Sequence, residues 1–286
     1  MRHLMARRLF MLVAVAAAAL TLPGPTDAAQ RSARELTLVV PSSLSQSGLL
    51  EHLLPDFEKR AKVEIKVIER EAAEAIRLAA KGGADVLWLD DERRETTAVK
   101  NGVAAGRQEI MYGELVLIGP TKDPAGIKGM TSVIDAVRLV ASAEAPFISR
   151  GDGSALNRIE QGIWDEAGIT IANTEAKDWY ATIGTGTRDV MEMAIKKNAY
   201  SIIDRASWLT ARSRKNHDVL VADDPRLLIQ YGVMLVNPDK HKHVRASVGN
   251  AFIRWLTSKV VQKRINEFAV AGAYPFTANH SRSQRK

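Results

Sequence analysis

A chain of 286 residues with 46% hydrophobic side chains is long enough to bury one large core or two ordinary ones, which excludes a chain disordered over most of its length. It has no cysteine, so structural disulfides, thiolate metal sites and a cysteine-borne lipid are excluded. The formal charge is +7, of which Arg2, Arg7 and Arg8 less Asp27 contribute +2, leaving about +5 beyond residue 28; without a basic stripe interleaved with aromatics this argues against nucleic acid as a partner, while long-range attraction of anions stays open.

The first stretch, "MRHLMARRLFMLVAVAAAALTLPGPTDAAQ", has a basic start, an apolar run from Leu9 to Leu22 and small residues at Ala28 and Ala29. That is the pattern of a cleaved export signal over residues 1–29, and the run is shorter than the ~20 residues a spanning helix needs. The mature protein is expected to be soluble and, in a bacterium, periplasmic. The basic end, "HSRSQRK", reads as a solvated terminus.

Beyond the signal, strand and helix patterns alternate. "ELTLVV" (35–40) predicts a buried strand, and 47–61 a helix with Leu49, Leu50, Leu53, Leu54 and Phe57 on one face and Pro55 as an irregularity. Strand 63–69, helix 72–83 and strand 84–89 follow, and "DDERRE" (90–95) reads as a solvated helix start. A second series runs through strand 114–120, a helix near 131–143, strand 145–149, helix 155–167, a connection at 179–184, helix 187–197 and strand 199–204. One more strand at 227–238 precedes amphipathic helices at 245–258 and 260–272, with Phe252, Trp255 and Leu256 in the core. Such alternation implies mostly parallel sheets covered by helices.

Two tandem domains, or two lobes between which the chain crosses twice, both accommodate this order. The crossings near 110–120 and 226–238 read as strands and lack the Pro/Ser/Gly composition of a linker, which favours two lobes: 34–112 with 228–286 as lobe I, and 113–227 as lobe II.

In such sheets, ligands sit beyond the carboxyl ends of strands, where helix N-termini offer free N–H groups. Three stretches fit: "VVPSSLSQSG" with Ser42 and Ser43, "SRGDGS" with Arg150 and Ser154, and "IGTGTRD" with Thr185 and Thr187. Hydroxyls, free N–H groups and glycine suit a small oxyanion, and Arg150 and Arg205 are the cations expected beside it. Each loop alone also reads as a helix N-cap, and each arginine as a partner of Asp152 or Asp204. No nucleophile elbow, His-Glu-x-x-His helix or Walker loop occurs, and His241 and His243 lie in a basic turn, so neither an enzyme nor a metal site is expected.

The segments "SGLLEHLLPDFEKRAKVEIKVI", "GGADVLWL", "IMYGELVLIGPTKDPAGIKG", "FISRGDGS", "AYSIIDRASWL", "QYGVMLVNPDKH" and "FIRWLTS" together resemble the extracytoplasmic tungstate-binding proteins of ABC importers. The resemblance implies a periplasmic-binding-protein fold, type II-like, an α/β chain in two lobes. It implies no cofactor, no catalysis, a monomer, and delivery of tungstate or molybdate to a membrane permease. It carries site roles to Ser42, Ser43, Arg150, Ser154 and Arg205. The family's threonine run is reduced here to Pro41, Ser42, Ser43 and Leu44, its Gly-Thr-Gly turn is replaced by Glu71, Ala72 and Ala73, and Asp90 stands where the family has a histidine. Beyond Arg150, Gly153, Ala155, Leu156 and Asn157 depart as well. Glu71 would repel an oxyanion, so it is expected to point away from one, unless the ligand is an organic or cationic solute recognised through Glu71 or Asp90. A sensor or interaction module that has lost transport is the remaining alternative.

Overall fold

A computed structural model describes residues 35–170, 178–184 and 186–280; the expected export signal, the end of the basic tail and Thr185 lie outside the described residues. The first elements are β1 (Glu35–Val40), the one-turn helix α1 (Ser42–Ser45), α2 (Leu49–Ala61), β2 (Glu64–Glu69), α3 (Ala72–Ala80), β3 (Val86–Leu89) and α4 (Glu92–Lys100). Next come β4 (Ala104–Pro120), α5 (Val133–Ser142), β5 (Phe147–Ser149), α6 (Ala155–Glu166), β6 (Tyr180–Thr182), α7 (Thr187–Lys197), β7 (Ser201–Asp204), α8 (Arg205–Thr210) and β8 (His217–Val221). The chain closes with β9 (Leu228–Val236), α9 (Ala246–Leu256), α10 (Lys259–Asn266) and β10 (Phe276–Ala278). No described helix is long and apolar enough to cross a membrane.

Strands β2, β1 and β3 pair in parallel, and β9 then adds to β3 in the antiparallel sense. β1 carries Leu36, Leu38, Val39 and Val40 with no exposure, as expected of a strand covered on both faces. Strand β4 joins two sheets. Its first part, Ala104 to Glu114, pairs with β9, while Leu115 to Pro120 pairs with β7 and β8. β5 and β6 run parallel to each other, and a parallel bridge from Phe147 to Tyr200 ties them to the β7 side.

The period-2 alternation of β4 divides its apolar residues. Val116 and Ile118 pack with Val190, Met191, Ala194, Ile203 and Trp208 in a small core beneath α7, whereas Leu115 and Leu117 belong to the main core. On the other side, Phe147 stacks against Tyr180 at 5.6 Å and meets Trp164 edge-on at 5.0 Å.

Three local expectations change. The strand expected at 114–120 starts ten residues earlier, at Ala104. "AAGRQEIMYG" lacks a clean apolar alternation, and it is strand because β9 pairs with it through two register irregularities. The last helix ends at Asn266 rather than near 272, because Val270 and Ala273 form a bridge across Ala271 and Gly272, both at positive φ. The "DDERRE" segment does start a helix but is only partly solvated: Glu92 and Arg93 are exposed, whereas Asp90, Asp91 and Glu95 are buried. Asp91 caps α4 and pairs with Arg94 and Arg158, and Glu95 pairs with Arg107. Helix α2 does run through Pro55, whose missing N–H leaves one turn of the ladder open.

Candidate functional site

The carboxyl ends of β1, β2, β3, β5 and β6 lead into Ser42, Glu71, Asp90, Arg150 and Gly184. Ser42, Glu71, Arg150, Gly151, Asp152 and Gly184 are among the residues lining a cavity of 600 Å³ there.

Arg150 is at the centre. Only 1% of the residue is exposed, and its guanidinium makes four hydrogen bonds. Nε and Nη2 donate to Asp152 Oδ2 at 2.9 and 2.6 Å, Nη1 donates to Thr187 Oγ1 at 2.9 Å, and Nη2 also donates to Glu71 Oε1 at 3.0 Å. Burial alone would lower its pKa, but the charges of Glu71 and Asp152 outweigh that and raise it, so the guanidinium stays charged. Asp152 is likewise pushed up by burial and pulled below the usual carboxylate range by Arg150 and the bonds from Ser154. The loop that presents Arg150 requires glycine at 151. Its φ is +62°, and a Cβ there would lie 2.6 Å from Thr182 Cβ.

Glu71 Oε1 receives three donors. Ser42 Oγ donates at 2.6 Å and Ser42 N–H at 3.4 Å, in addition to Arg150 Nη2. That N–H is free because Ser42 opens α1, and the first N–H groups of a helix have no partner within it. Glu71 thus does not point away, which corrects the expectation. A carboxylate repels an added oxyanion but is attracted by the same donors an oxyanion would use, and here it has taken them.

Ser43 turns elsewhere. Its hydroxyl donates to Asp90 Oδ2 at 3.1 Å and accepts from Tyr231 Oη at 3.0 Å. Burial raises the pKa of Asp90 well above the usual range and the nearby Glu71 charge adds to this, while Ser43 and Arg150 oppose it. Ser154 lines the cavity and caps α6, its Oγ accepting from Asn157 N–H at 3.3 Å, while its own N–H and hydroxyl bond the Asp152 carboxylate. Arg205 is not gathered into this cluster. It forms ion pairs with Glu114 at 2.5 Å and Asp223 at 3.5 Å, because it opens α8 next to the β4 junction. Thr185 lies outside the described residues.

In the loop at 184–187, fully buried Thr187 accepts from the Arg150 guanidinium and Gly184 N–H donates to the Arg150 carbonyl at 2.6 Å. Tyr231, which fixes Ser43, carries no sequence signal that separates it from an ordinary core aromatic. Further contacts join the same loops from both sides of the cavity: Arg94 Nη1 donates to the Gly153 carbonyl at 3.0 Å, and Arg158 pairs with Asp91. No cluster of metal-ligating side chains occurs among the described residues.

The family model described as a PBP superfamily domain matches residues 26–260. The tungstate-binding protein TupA of Peptoclostridium acidaminophilum is 34% identical over 96% of this chain and 99% of its own. Two solved structures are similar over most of the fold. The tungstate-binding protein TupA from Desulfovibrio alaskensis G20 has a TM-score of 0.74 and 30% identity, covering 86% of this chain and 99% of that one. The tungstate ABC transporter structure from Geobacter sulfurreducens has a TM-score of 0.76 and 32% identity, covering 82% and 98%. With strand ends from two joined sheets converging on one cavity and matches of this extent, the chain belongs to the PBP superfamily, with the two-lobed α/β fold of periplasmic binding proteins.

Proposed function

We propose that the chain is the solute-binding component of an ABC importer, which takes a small oxyanion, tungstate or molybdate, in the cleft and hands it to a membrane permease from the periplasm. The lobes are residues 34–112 with 228–286 and residues 113–227, and closure is a hinge at β4 and β9. It works as a monomer, binds no nucleic acid and catalyses no reaction.

The observation that carries the reading is the convergence of Ser42 Oγ–H, Ser42 N–H and Arg150 Nη2 on one anionic oxygen, with donors from both sides of the cleft. A buried guanidinium with hydroxyl and main-chain donors is a site for a small oxyanion. That the anion held in this conformation is a carboxylate of the chain does not change what the donors recognise. A cationic solute is disfavoured because Glu71 Oε1, the carboxylate oxygen that faces the cleft donors, is already engaged by Arg150 and Ser42, and burial favours the neutral form of Asp90. The named tungstate-binding and transporter relatives support transport over a sensor role.

Isothermal titration of the mature protein with tungstate, molybdate, sulfate and phosphate tests the reading. Tungstate and molybdate should bind, and Arg150→Ala should weaken them by roughly 30-fold or more, the cost of removing one partner of a buried charged pair. No heat with any of the four would refute it.

A further inference from the structure

We propose that the Glu71 carboxylate is the built-in occupant of the oxyanion position in the unliganded protein, and that it sets a charge threshold: a monoanion fails to displace it, whereas an oxyanion carrying two charges succeeds. The inference rests on the reading of the cleft as an oxyanion site.

Glu71 Oε1 is placed as a ligand oxygen would be, between the first N–H and hydroxyl of α1 on one side and Arg150 on the other. The side chain has no second task in its own element. Helix α3 is capped at its start by the Glu71 main-chain carbonyl, which accepts from Glu74 and Ala75 N–H at 2.9 Å each, and the carboxylate makes no cap bond. Removing the carboxylate therefore leaves the helix start intact. With 29% of its side chain exposed and the 600 Å³ cavity beside it, Glu71 has room to swing out on its own bonds.

The charge threshold follows from tethering and from charge balance. A carboxylate held on the same chain acts at an effective concentration on the order of millimolar, so a free monoanion of similar intrinsic affinity has to exceed that concentration to compete. With Glu71 and Asp152 both on Arg150, the guanidinium is already compensated, and an incoming anion adds like charge unless Glu71 leaves. A dianion interacts about twice as strongly with Arg150 at the same distance, and that difference drives the exchange. The Glu71–Arg150 pair also spans the cleft, as do the Arg94–Gly153 and Arg158–Asp91 contacts, so the unliganded chain is expected to rest closed on its own carboxylate.

The test compares the wild-type protein with Glu71→Ala and Glu71→Gln, by small-angle X-ray scattering without ligand and by titration with formate and with tungstate. Formate is the carboxylate that the Ala variant lacks. The expected result is that unliganded Glu71→Ala scatters as a larger particle, that millimolar formate binds it and restores the wild-type radius, and that formate leaves the wild type unchanged. Tungstate should bind Glu71→Ala at least tenfold more tightly than wild type, with Glu71→Gln in between. Formate binding equally to both proteins or to neither, or tungstate binding weakened in Glu71→Ala, would overturn the inference. If formate rescues Glu71→Ala but tungstate, molybdate, sulfate and phosphate bind neither protein, Glu71 still occupies the anion position and it is the oxyanion transport reading that falls.

Discussion

Glu160 is wholly buried behind the Arg150 loop, where Ser149 Oγ donates to its Oε2 at 3.0 Å and Tyr180 Oη and Trp164 Nε1 donate to its Oε1 at 2.9 and 3.3 Å. Burial raises its pKa from 4.5 to about 7, against the pull of those three hydrogen bonds. The folded state therefore holds a proton that the unfolded state releases at pH 4.5, and the folded protein loses stability as pH rises from 4.5 to about 7, by up to about 3 kcal/mol. Glu160→Gln removes this titration. Denaturant unfolding at pH 5 and pH 8 should show the variant gaining stability relative to wild type as pH rises; a constant difference across that range would refute the assignment. Ser149, Glu160 and Asn157 in turn hold Gly153, since Asn157 donates to Ser149 and accepts from Gly153 N–H. Little of this residue-scale chemistry is legible in the chain: a glutamate at helical spacing reads as solvent-facing until aromatic neighbours from another segment cover it. Arg150 and Ser42 are legible because they follow strand patterns and precede helix starts, where free donors are expected. The inward orientation of Glu71 is not, because side-chain direction at a loop depends on which partner lies across the cleft.

Elements explain why the site loops keep their shape. Gly151 lies in the left-handed region directly against Thr182 of β6, so the β5–β6 pairing and the Arg150 loop specify each other. Gly151→Ala should destabilise the protein by about 1–3 kcal/mol, measured by chemical denaturation, and weaken anion binding by displacing Arg150. Unchanged stability would mean that the loop relaxes freely. Strands and helices with clear periodicity, such as β1, α6 and α9, are read from the sequence to within a few residues. The early half of β4, with β8 and β10, is not: β8 and β10 are short, and the first part of β4 carries charges and glycine, so partner strands rather than local pattern decide their conformation.

For the whole molecule, the sequence signals one of the two expected strand crossings: β4 passes from its pairing with β9 to its pairing with β7 and β8, whereas β9 stays with β3 and β4 and the chain returns to it through the short turn Pro225–Leu227. In the proposed hinged reading, the shared strand β4 would open by small rotations at Glu114–Leu115, where its pairing changes from β9 to β7. Around the cavity the molecule sets cations against carboxylates in pairs, Arg150 with Glu71 and Arg158 with Asp91, so these charges compensate one another. Crystallography of the protein with tungstate tests the central claim most directly, since tungsten scatters anomalously and locates itself. A single anomalous peak within hydrogen-bonding reach of Arg150 and Ser42, with the Glu71 side chain moved off Arg150, is the predicted result. A peak elsewhere, no peak at saturating tungstate, or a peak at Arg150 with Glu71 still bonded to it would contradict the account.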